Sequence, residues 1–147
     1  MNFKQISLFN LDVDNRLSAW AAHRAHLDQS KTPLEDVWAF WKNAPFTPYN
    51  NKIDPFNRHG WPSPWEIIVD NKYDDFTKAI MIGFSLRLTN RFKNNIIYIR
   101  TLVDNTKNIA YNIVIVDEEW AINYSDNGPV SVEIIPDSFY LENHIEL

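Results

Sequence analysis

The segment from Phe76 to Phe92 is apolar around nearly its whole circumference, a pattern typical of a helix inside a protein rather than on its surface. Its apolar residues fall at helical spacing and beside that stripe: Phe76, Ala79, Ile80, Met81, Ile82, Gly83, Phe84, Leu86 and Leu88. Asp74 and Asp75 precede the segment and suit the N-terminus of a helix. The pattern therefore predicts a central helix that other elements surround.

The residues after this helix are rich in β-branched side chains and are divided by polar turns. Ile96–Val103 and Ala110–Val116 predict a hairpin, because the polar residues between them are typical of a turn. Trp120–Tyr124 and Val130–Ile135 predict two more strands, and nothing is assigned after them. The sequence thus predicts an α+β fold in which the central helix packs on an antiparallel sheet of about four strands.

The N-terminal part carries the signals of two helices. Asp14 is a suitable N-cap for a helix that runs to about Gln29. Thr32-Pro33-Leu34-Glu35 places a capping hydroxyl before a proline at the first helical position and a glutamate at N3. This second signal predicts a helix that runs to about Asn43.

A proline-rich segment separates these helices from the central one. It covers residues 44–64, and its aromatic side chains predict a rigid, irregular segment rather than a flexible linker. Ser63-Pro64-Trp65-Glu66 at its end repeats the capping pattern and predicts a short helix to about Val69.

Length and composition favour one globular domain. The chain has 147 residues and 45% hydrophobic content, enough for a substantial core. We divide it into a helical and proline-rich part at 1–60, a core at 61–135 and a tail at 136–147. The net charge of −5 argues against nucleic acid or an anionic membrane as a partner.

Two absences from the sequence limit where the chain is expected to act and which reactions it can catalyse. Residues 1–6 lack the apolar run of a signal peptide, and no run is long enough to span a membrane, so we expect a soluble, unprocessed protein. The chain contains no cysteine, which excludes disulfides, thiolate metal sites and a thiol nucleophile.

Two stretches resemble transglutaminase-like cysteine peptidases. Trp61-Pro62-Ser63-Pro64-Trp65-Glu66-Ile67-Ile68, followed by Tyr73-Asp74-Asp75-Phe76-Thr77-Lys78-Ala79, resembles the family's approach to its active-site helix, where a Gly-Asp-Cys-Glu-Asp-Tyr-Ala type motif occurs. Tyr111 to Tyr124 resembles the region that carries the family's histidine and aspartate. The resemblance implies a catalytic helix packed on an antiparallel sheet, with the cysteine at the helix N-terminus, the histidine on a following strand and the aspartate on the next.

The functional residues of that family do not carry over to this sequence. The cysteine position falls on Tyr73, or on Asp74 if the loop is shifted by one. The histidine position falls on Ile109 or Ala110, and the aspartate position falls on Asn123 or Tyr124. Because a thiolate nucleophile needs a base and an orienting acceptor, the resemblance implies a non-catalytic descendant, and we expect that the chain is not an enzyme.

Other side chains could have a catalytic or metal-binding role, although a simpler role is available for each. Asp74 and Asp75 with His59 could form an acid–base group, but a capping carboxylate with a solvated neighbour explains the pair. His23 and His26 lie three residues apart and could share a metal, but spacing fixes no further ligand. We therefore expect no metal, no cofactor and no small-molecule ligand.

The aromatic residues suggest a surface for protein partners. Five candidate interaction residues follow from this: Trp38, Trp41, Tyr49, Trp61 and Trp65. The stripe that contains Trp38 and Trp41 is more typical of a core, so both roles stay open.

The chain has an Asp-Val-x-x-Phe-Trp helix at residues 36–41, a Trp-Pro-x-Pro-Trp-Glu loop at residues 61–66 and a buried helix after them. This arrangement resembles that of small uncharacterised proteins of large tailed phages. It implies a structural subunit of a tail, neck or baseplate, with other protein subunits as partners and the virion or host cytoplasm as location. The alternative function is a hydrolase that uses carboxylates and His59 in place of the thiol.

Overall fold

The computed structural model describes residues 8–147, and the expectation about a signal peptide at residues 1–6 lies outside them. Four α-helices are present: α1 (Val13–Gln29), α2 (Pro33–Trp41), α3 (Pro64–Asp70) and α4 (Asp75–Arg87). Five strands follow: β1 (Ile97–Asp104), β2 (Ile109–Val116), β3 (Trp120–Ser125), β4 (Gly128–Ser131) and β5 (Tyr140–Glu146). Short 3-10 helices are found at Leu8–Asn10, Arg58–Gly60 and Val132–Ile134.

The five strands form one antiparallel sheet in the order β4-β3-β2-β1-β5. The predicted hairpin is present, and its register runs from Ile97 opposite Val116 to Asp104 opposite Ile109. The tail contributes β5, which pairs with β1 at the edge of the sheet and was not assigned from the sequence. Since most of its side chains are exposed, β5 lacks the apolar alternation that identifies a half-buried strand.

Helix α4 is the central helix, and its predicted burial is confirmed. It packs against α2 and against strands β1 and β2, with nine of its residues buried. It ends at Arg87 rather than at Phe92, because the backbone turns after Leu88 and the Thr89 hydroxyl accepts a hydrogen bond from the Phe92 N–H. Phe84, expected inside the core, is only partly buried, with the Arg58 guanidinium 5.9 Å from its ring centroid.

The helix starts agree with the capping signals in part. The Ser63 hydroxyl and Glu66 carboxylate form the predicted reciprocal capping box at α3. Thr32 does not cap α2, because its hydroxyl donates to the Asp36 carboxylate at 3.2 Å and its backbone departs from capping geometry. Helix α1 is capped by Asp12 rather than by Asp14, since the Asp12 carboxylate accepts the N–H of the third residue after it.

The buried hydroxyl of Ser85 forms hydrogen bonds that connect helices α1, α2 and α4. The Ser85 Oγ on α4 accepts the indole N–H of Trp20 from α1 at 2.9 Å and that of Trp41 from α2 at 3.0 Å. It also donates to the Met81 carbonyl at 2.6 Å. Because Trp20, Trp41 and Ser85 are 0% exposed, each of these bonds replaces one that water would otherwise supply. We call these three residues the Ser85 cluster.

Candidate functional site

Two carboxylates lie at the N-terminus of α4, and they have different partners. Asp74 is the N-cap, and its Oδ1 accepts the backbone N–H of Thr77 at 2.7 Å and the Thr77 hydroxyl at 2.6 Å. Its Oδ2 accepts the backbone N–H of Asn50 at 3.0 Å. Asp74 therefore starts the helix and holds the loop between α2 and α3 against it.

Asp75, the first residue of α4, faces the sheet instead. Its Oδ2 accepts the amide N–H of Asn112 on β2 at 2.9 Å, and its Oδ1 accepts that of Asn123 on β3 at 3.3 Å. The Asn123 amide also donates to the backbone carbonyl of Asn112 at 2.9 Å. We call Asp75, Asn112 and Asn123 the Asp75 cluster. Two amide N–H donors from two different strands therefore hold the two oxygens of this carboxylate.

The orientation of Asn112 is set by its neighbour across the sheet. Thr101 on β1 lies opposite Asn112, and its hydroxyl donates to the Asn112 Oδ1 at 2.8 Å. With the oxygen occupied in this way, the amide nitrogen is the atom left to face Asp75. Thr101 is buried, so little water competes for that hydrogen bond.

Asn123 reaches the cluster through an irregular backbone. Its φ is 73°, in the left-handed region that non-glycine residues rarely adopt and that asparagine tolerates best. The pairing of β3 with β4 shifts register between Ala121 and Ser125, a feature that redirects side chains near functional sites. This local distortion aims the Asn123 amide at Asp75.

The Asp75 cluster opens into a cleft of about 520 Å³. Its walls come from the end of α2, the first turn of α4 and strands β2 and β3. The side chains that matter chemically are Lys42, Asp75, Lys78, Tyr111, Asn123 and Asp126. Asp75 is half-buried, so a molecule in the cleft can reach its carboxylate.

Of the positions proposed for the lost catalytic residues, the structure places Asn123 in the cluster. Tyr73 is 1% exposed and packs against Trp41, its ring centroid 5.4 Å away, and burial raises the pKa of its phenol. Tyr73 is therefore a core residue, and Asp74 is committed to capping. Neither Tyr73 nor Asp74 belongs to the Asp75 cluster, and the assignment of the cysteine position to one of them stays a prediction.

The assignment of the histidine position to Ile109 or Ala110 likewise stays a prediction. Both residues begin β2, are exposed and line the cleft, but neither offers a polar side chain to Asp75. Asn112, further along the same strand, does. Counting the Gly-Asp-Cys-Glu-Asp-Tyr-Ala motif back from Ala79 would have selected Asp75, whereas Asn112 carries no signal in the sequence alone.

His59 does not join the carboxylates. It lies in the exposed 3-10 helix Arg58–Gly60, and no hydrogen bond or ion pair links it to Asp74 or Asp75 in the described structure. The acid–base group proposed from these three side chains is therefore not assembled.

The two histidines of α1 have separate environments. His23 is buried and its ring stacks on Phe40 with centroids 3.7 Å apart. Burial, followed by the nearby charge of His26, lowers the pKa of His23 to about 3. His26 instead contacts the Asp36 carboxylate at 2.8 Å. Within residues 8–147 no group of three or more His, Cys, Asp or Glu side chains could hold a metal ion.

The aromatic candidates for docking are not one surface. Trp41 is fully buried in the Ser85 cluster, so this residue is core rather than an interaction site. Trp38 and Trp61 are partly buried, and the Trp61 indole N–H donates to the Asp54 carbonyl at 2.6 Å. Trp65 is 45% exposed and Tyr49 is 72% exposed.

No helix within residues 8–147 is long and apolar enough to cross a membrane.

Comparison with known proteins identifies the scaffold. No family model matches the chain, and no curated protein matches it. Calcium-bound LapG from Legionella pneumophila, a solved structure, superposes with a TM-score of 0.69 over 92% of this chain and 77% of that one, at 21% identity. LapG has a transglutaminase-like cysteine protease fold.

This comparison changes one expectation and confirms another. The expectation that the chain is not an enzyme is corrected, because LapG, a protein of the same fold, is a cysteine protease, and a missing cysteine excludes thiol chemistry alone. The expected α+β class is confirmed. The chain has a transglutaminase-like fold.

Proposed function

We propose that the chain is a hydrolase of amide bonds in which Asp75 acts as the general base. The observation that carries the proposal is the half-buried Asp75 carboxylate, held by two amides from two strands at the floor of an open cleft. Support also comes from its place at the N-terminus of the central helix of a transglutaminase-like fold. A carboxylate can activate a water molecule as a general base, and no thiol is required for that chemistry.

The reaction proceeds by addition of water. Asp75 accepts a proton from a water molecule as the water oxygen attacks the carbonyl carbon of the substrate amide. The C–N bond of the tetrahedral intermediate then breaks, and the proton passes from Asp75 to the leaving nitrogen. The products are a carboxylic acid and an amine, and Asp75 returns to its ionised form. The positive end of the α4 dipole lies at the same place and favours the negative charge of the intermediate.

Asn112 and Asn123 are positioning residues in this mechanism. Their amides bind different oxygens of Asp75, so together they fix the plane of the carboxylate. Thr101 supports them by holding the Asn112 oxygen. A carboxylate that is fixed before the reaction does not need to reorganise when the water molecule loses its proton.

Turnover of peptide substrates by the purified chain tests the proposal. A pool of internally quenched peptides and a set of glutamine-containing peptides are incubated with the wild type, and new termini are identified by mass spectrometry. We expect slow hydrolysis, which Asp75→Asn lowers by about 10²- to 10⁴-fold because a general base contributes about that much.

The matched control is Asp137→Asn, which makes the same charge change at an exposed residue outside the cleft. It should retain wild-type turnover. No hydrolysis by the wild type, or equal rates for the wild type and Asp75→Asn, would contradict the proposal.

A second proposed role is attachment to other protein subunits. The supporting observation is the loop between α2 and α3, where Phe46, Tyr49 and Phe56 are 73%, 72% and 69% exposed. Large exposed aromatic side chains are typical anchors of protein interfaces. We propose that this loop contacts neighbouring subunits of a larger assembly, such as the tail, neck or baseplate of a tailed phage, in the virion or the host cytoplasm.

The test is the mass of the native assembly before and after Phe46→Ser and Tyr49→Ser are introduced together. We expect the double variant to leave the assembly while the free chain stays folded. A wild-type chain that is monomeric in its native source, with no co-purifying protein, would contradict this role.

A further inference from the structure

Two lysines line the cleft beside the Asp75 cluster. Lys78 follows Asp75 by one helical turn on α4, and Lys42 lies at the end of α2. The Lys42 ammonium lies 4.8 Å from the centroid of the Trp38 ring, a cation–π contact with another cleft residue. Both positive charges therefore belong to the surface that a substrate would meet.

Neither ammonium group has a carboxylate partner within the described structure. The ion pairs found there join His26 to Asp36 and Lys52 to Asp70, away from the cleft. The carboxylates of the cleft are Asp75, whose oxygens face two amides, and Asp126, which is exposed. The lysines balance these two charges, so the cleft is formally neutral on a chain of net charge −5.

The remaining walls are suited to an organic chain rather than to a bare ion. Rings of Trp38, Tyr111 and Tyr124 line the cleft together with Ile109. Tyr111 and Tyr124 lie against each other, with centroids 5.0 Å apart, and form one continuous aromatic wall. Such a wall can cover the stem of a side chain while a lysine binds its charged end.

We infer that the cleft selects peptides that carry a carboxylate near the bond to be hydrolysed, with Lys42 and Lys78 as the groups that bind it. The inference rests on the proposed function and names its substrate class. The carboxylate can belong to a glutamate or aspartate side chain or to the end of a peptide, because both present the same group to the lysines.

Binding of labelled peptides separates this inference from the catalytic proposal. The probes are fluorescein-labelled hexapeptide pools that differ only in glutamate or glutamine at each position, with a third pool that has a free C-terminal carboxylate and a fourth that has an amide there. Fluorescence polarisation is measured with the wild type and with Asp75→Asn at low and at high salt. We expect glutamate or the free carboxylate to strengthen binding about fivefold, and the gain to shrink at high salt.

The lysine variants assign that preference to the cleft. Lys42→Gln and Lys78→Gln should each reduce the preference for the carboxylate, measured as the ratio of the affinities for the glutamate and glutamine pools and for the free and amidated ends. The control is Lys107→Gln, an exposed lysine in the turn between β1 and β2, which should keep the preference.

The outcomes are distinguishable. A carboxylate preference that survives in Asp75→Asn, with no hydrolysis by the wild type, supports the inference and contradicts the catalytic proposal. Hydrolysis without any preference for a carboxylate, or a preference that both cleft-lysine variants retain, overturns the inference. A preference confined to the free C-terminus assigns the cleft to peptide ends, and one confined to internal glutamate assigns it to side chains.

Discussion

Helix α4 carries two polar clusters in opposite surroundings. The Ser85 cluster is sealed inside the core, where one hydroxyl serves two indole N–H groups and nothing outside the protein can reach it. The Asp75 cluster has the same number of side chains, but its carboxylate is half-buried and opens into the cleft. A polar group that no ligand can reach contributes to stability, whereas one that is both fixed and accessible can also contribute to chemistry.

Trp41→Ala should be the most destabilising of the changes considered, because it removes a large buried side chain from the Ser85 cluster. We expect a loss of about 3–5 kcal/mol in the free energy of unfolding, measured by urea denaturation. A loss below about 1 kcal/mol would mean that Trp41 is not core, and the contrast between the two clusters would fail.

Ser85→Ala sharpens the same contrast without leaving a large cavity. It removes the acceptor of two indole N–H groups, and each buried donor left without a partner costs about 1–3 kcal/mol. We expect a total loss of about 2–4 kcal/mol in the same denaturation experiment. Ser85→Thr is the matched variant, because it changes the packing but keeps the hydroxyl. A loss of stability in Ser85→Ala that is absent from Ser85→Thr is therefore due to the missing hydroxyl.

The burial of His23 predicts that the free energy of unfolding depends on pH. Since burial lowers the pKa of His23 from 6.5 to about 3, the unfolded chain binds a proton below pH 6.5 that the folded chain does not. Stability should therefore fall as the pH decreases from 6.5 towards 3, by about 2 kcal/mol at pH 5.

Denaturation at pH 5 and pH 7 measures this loss. His23→Phe, which can keep the stack on Phe40, should remove most of it. An unchanged difference between the two pH values in that variant would assign the effect to other groups.

The Asp75 cluster should show smaller effects on stability. Asn123→Ala loses its hydrogen bonds and keeps a side chain at a φ of 73°, whereas Asn123→Gly loses the bonds but suits that backbone. We expect the glycine variant to be about 1 kcal/mol more stable than the alanine variant. If alanine is the more stable, the left-handed backbone at Asn123 is not a strain on the chain.

The parts that could be predicted from the sequence depend on local patterns. Three features were predicted from the sequence: the apolar residues around α4, the capping box at Ser63 and the β-branched strands of the hairpin. Each depends on residues that are close together in the chain, so the sequence alone reveals it. Strand β5 could not be predicted, because it is an exposed edge strand held by pairing with β1.

The assembly of the two polar clusters could not be predicted for a related reason. Ser85 looks like a minor interruption of an apolar helix until two tryptophans from other helices reach it. Asn123 is a candidate from the sequence, as the aspartate position, but Asn112 looks like an ordinary strand residue until the register of β2 brings it to Asp75. Asp75 itself was read as a solvated neighbour of the cap. Such contacts depend on tertiary structure and not on spacing along the chain.

The most direct test of the account measures activity and stability together for one variant from each cluster. For Asp75→Asn we predict hydrolysis of the peptide pool lowered by about 10²-fold or more, with the free energy of unfolding changed by about 1 kcal/mol or less. For Ser85→Ala we predict the reverse, with clear destabilisation and near-normal turnover at a temperature where the variant is folded. An Asp75→Asn variant that unfolds readily, or that hydrolyses the pool as fast as the wild type, would contradict the claim that the Asp75 cluster is the functional one.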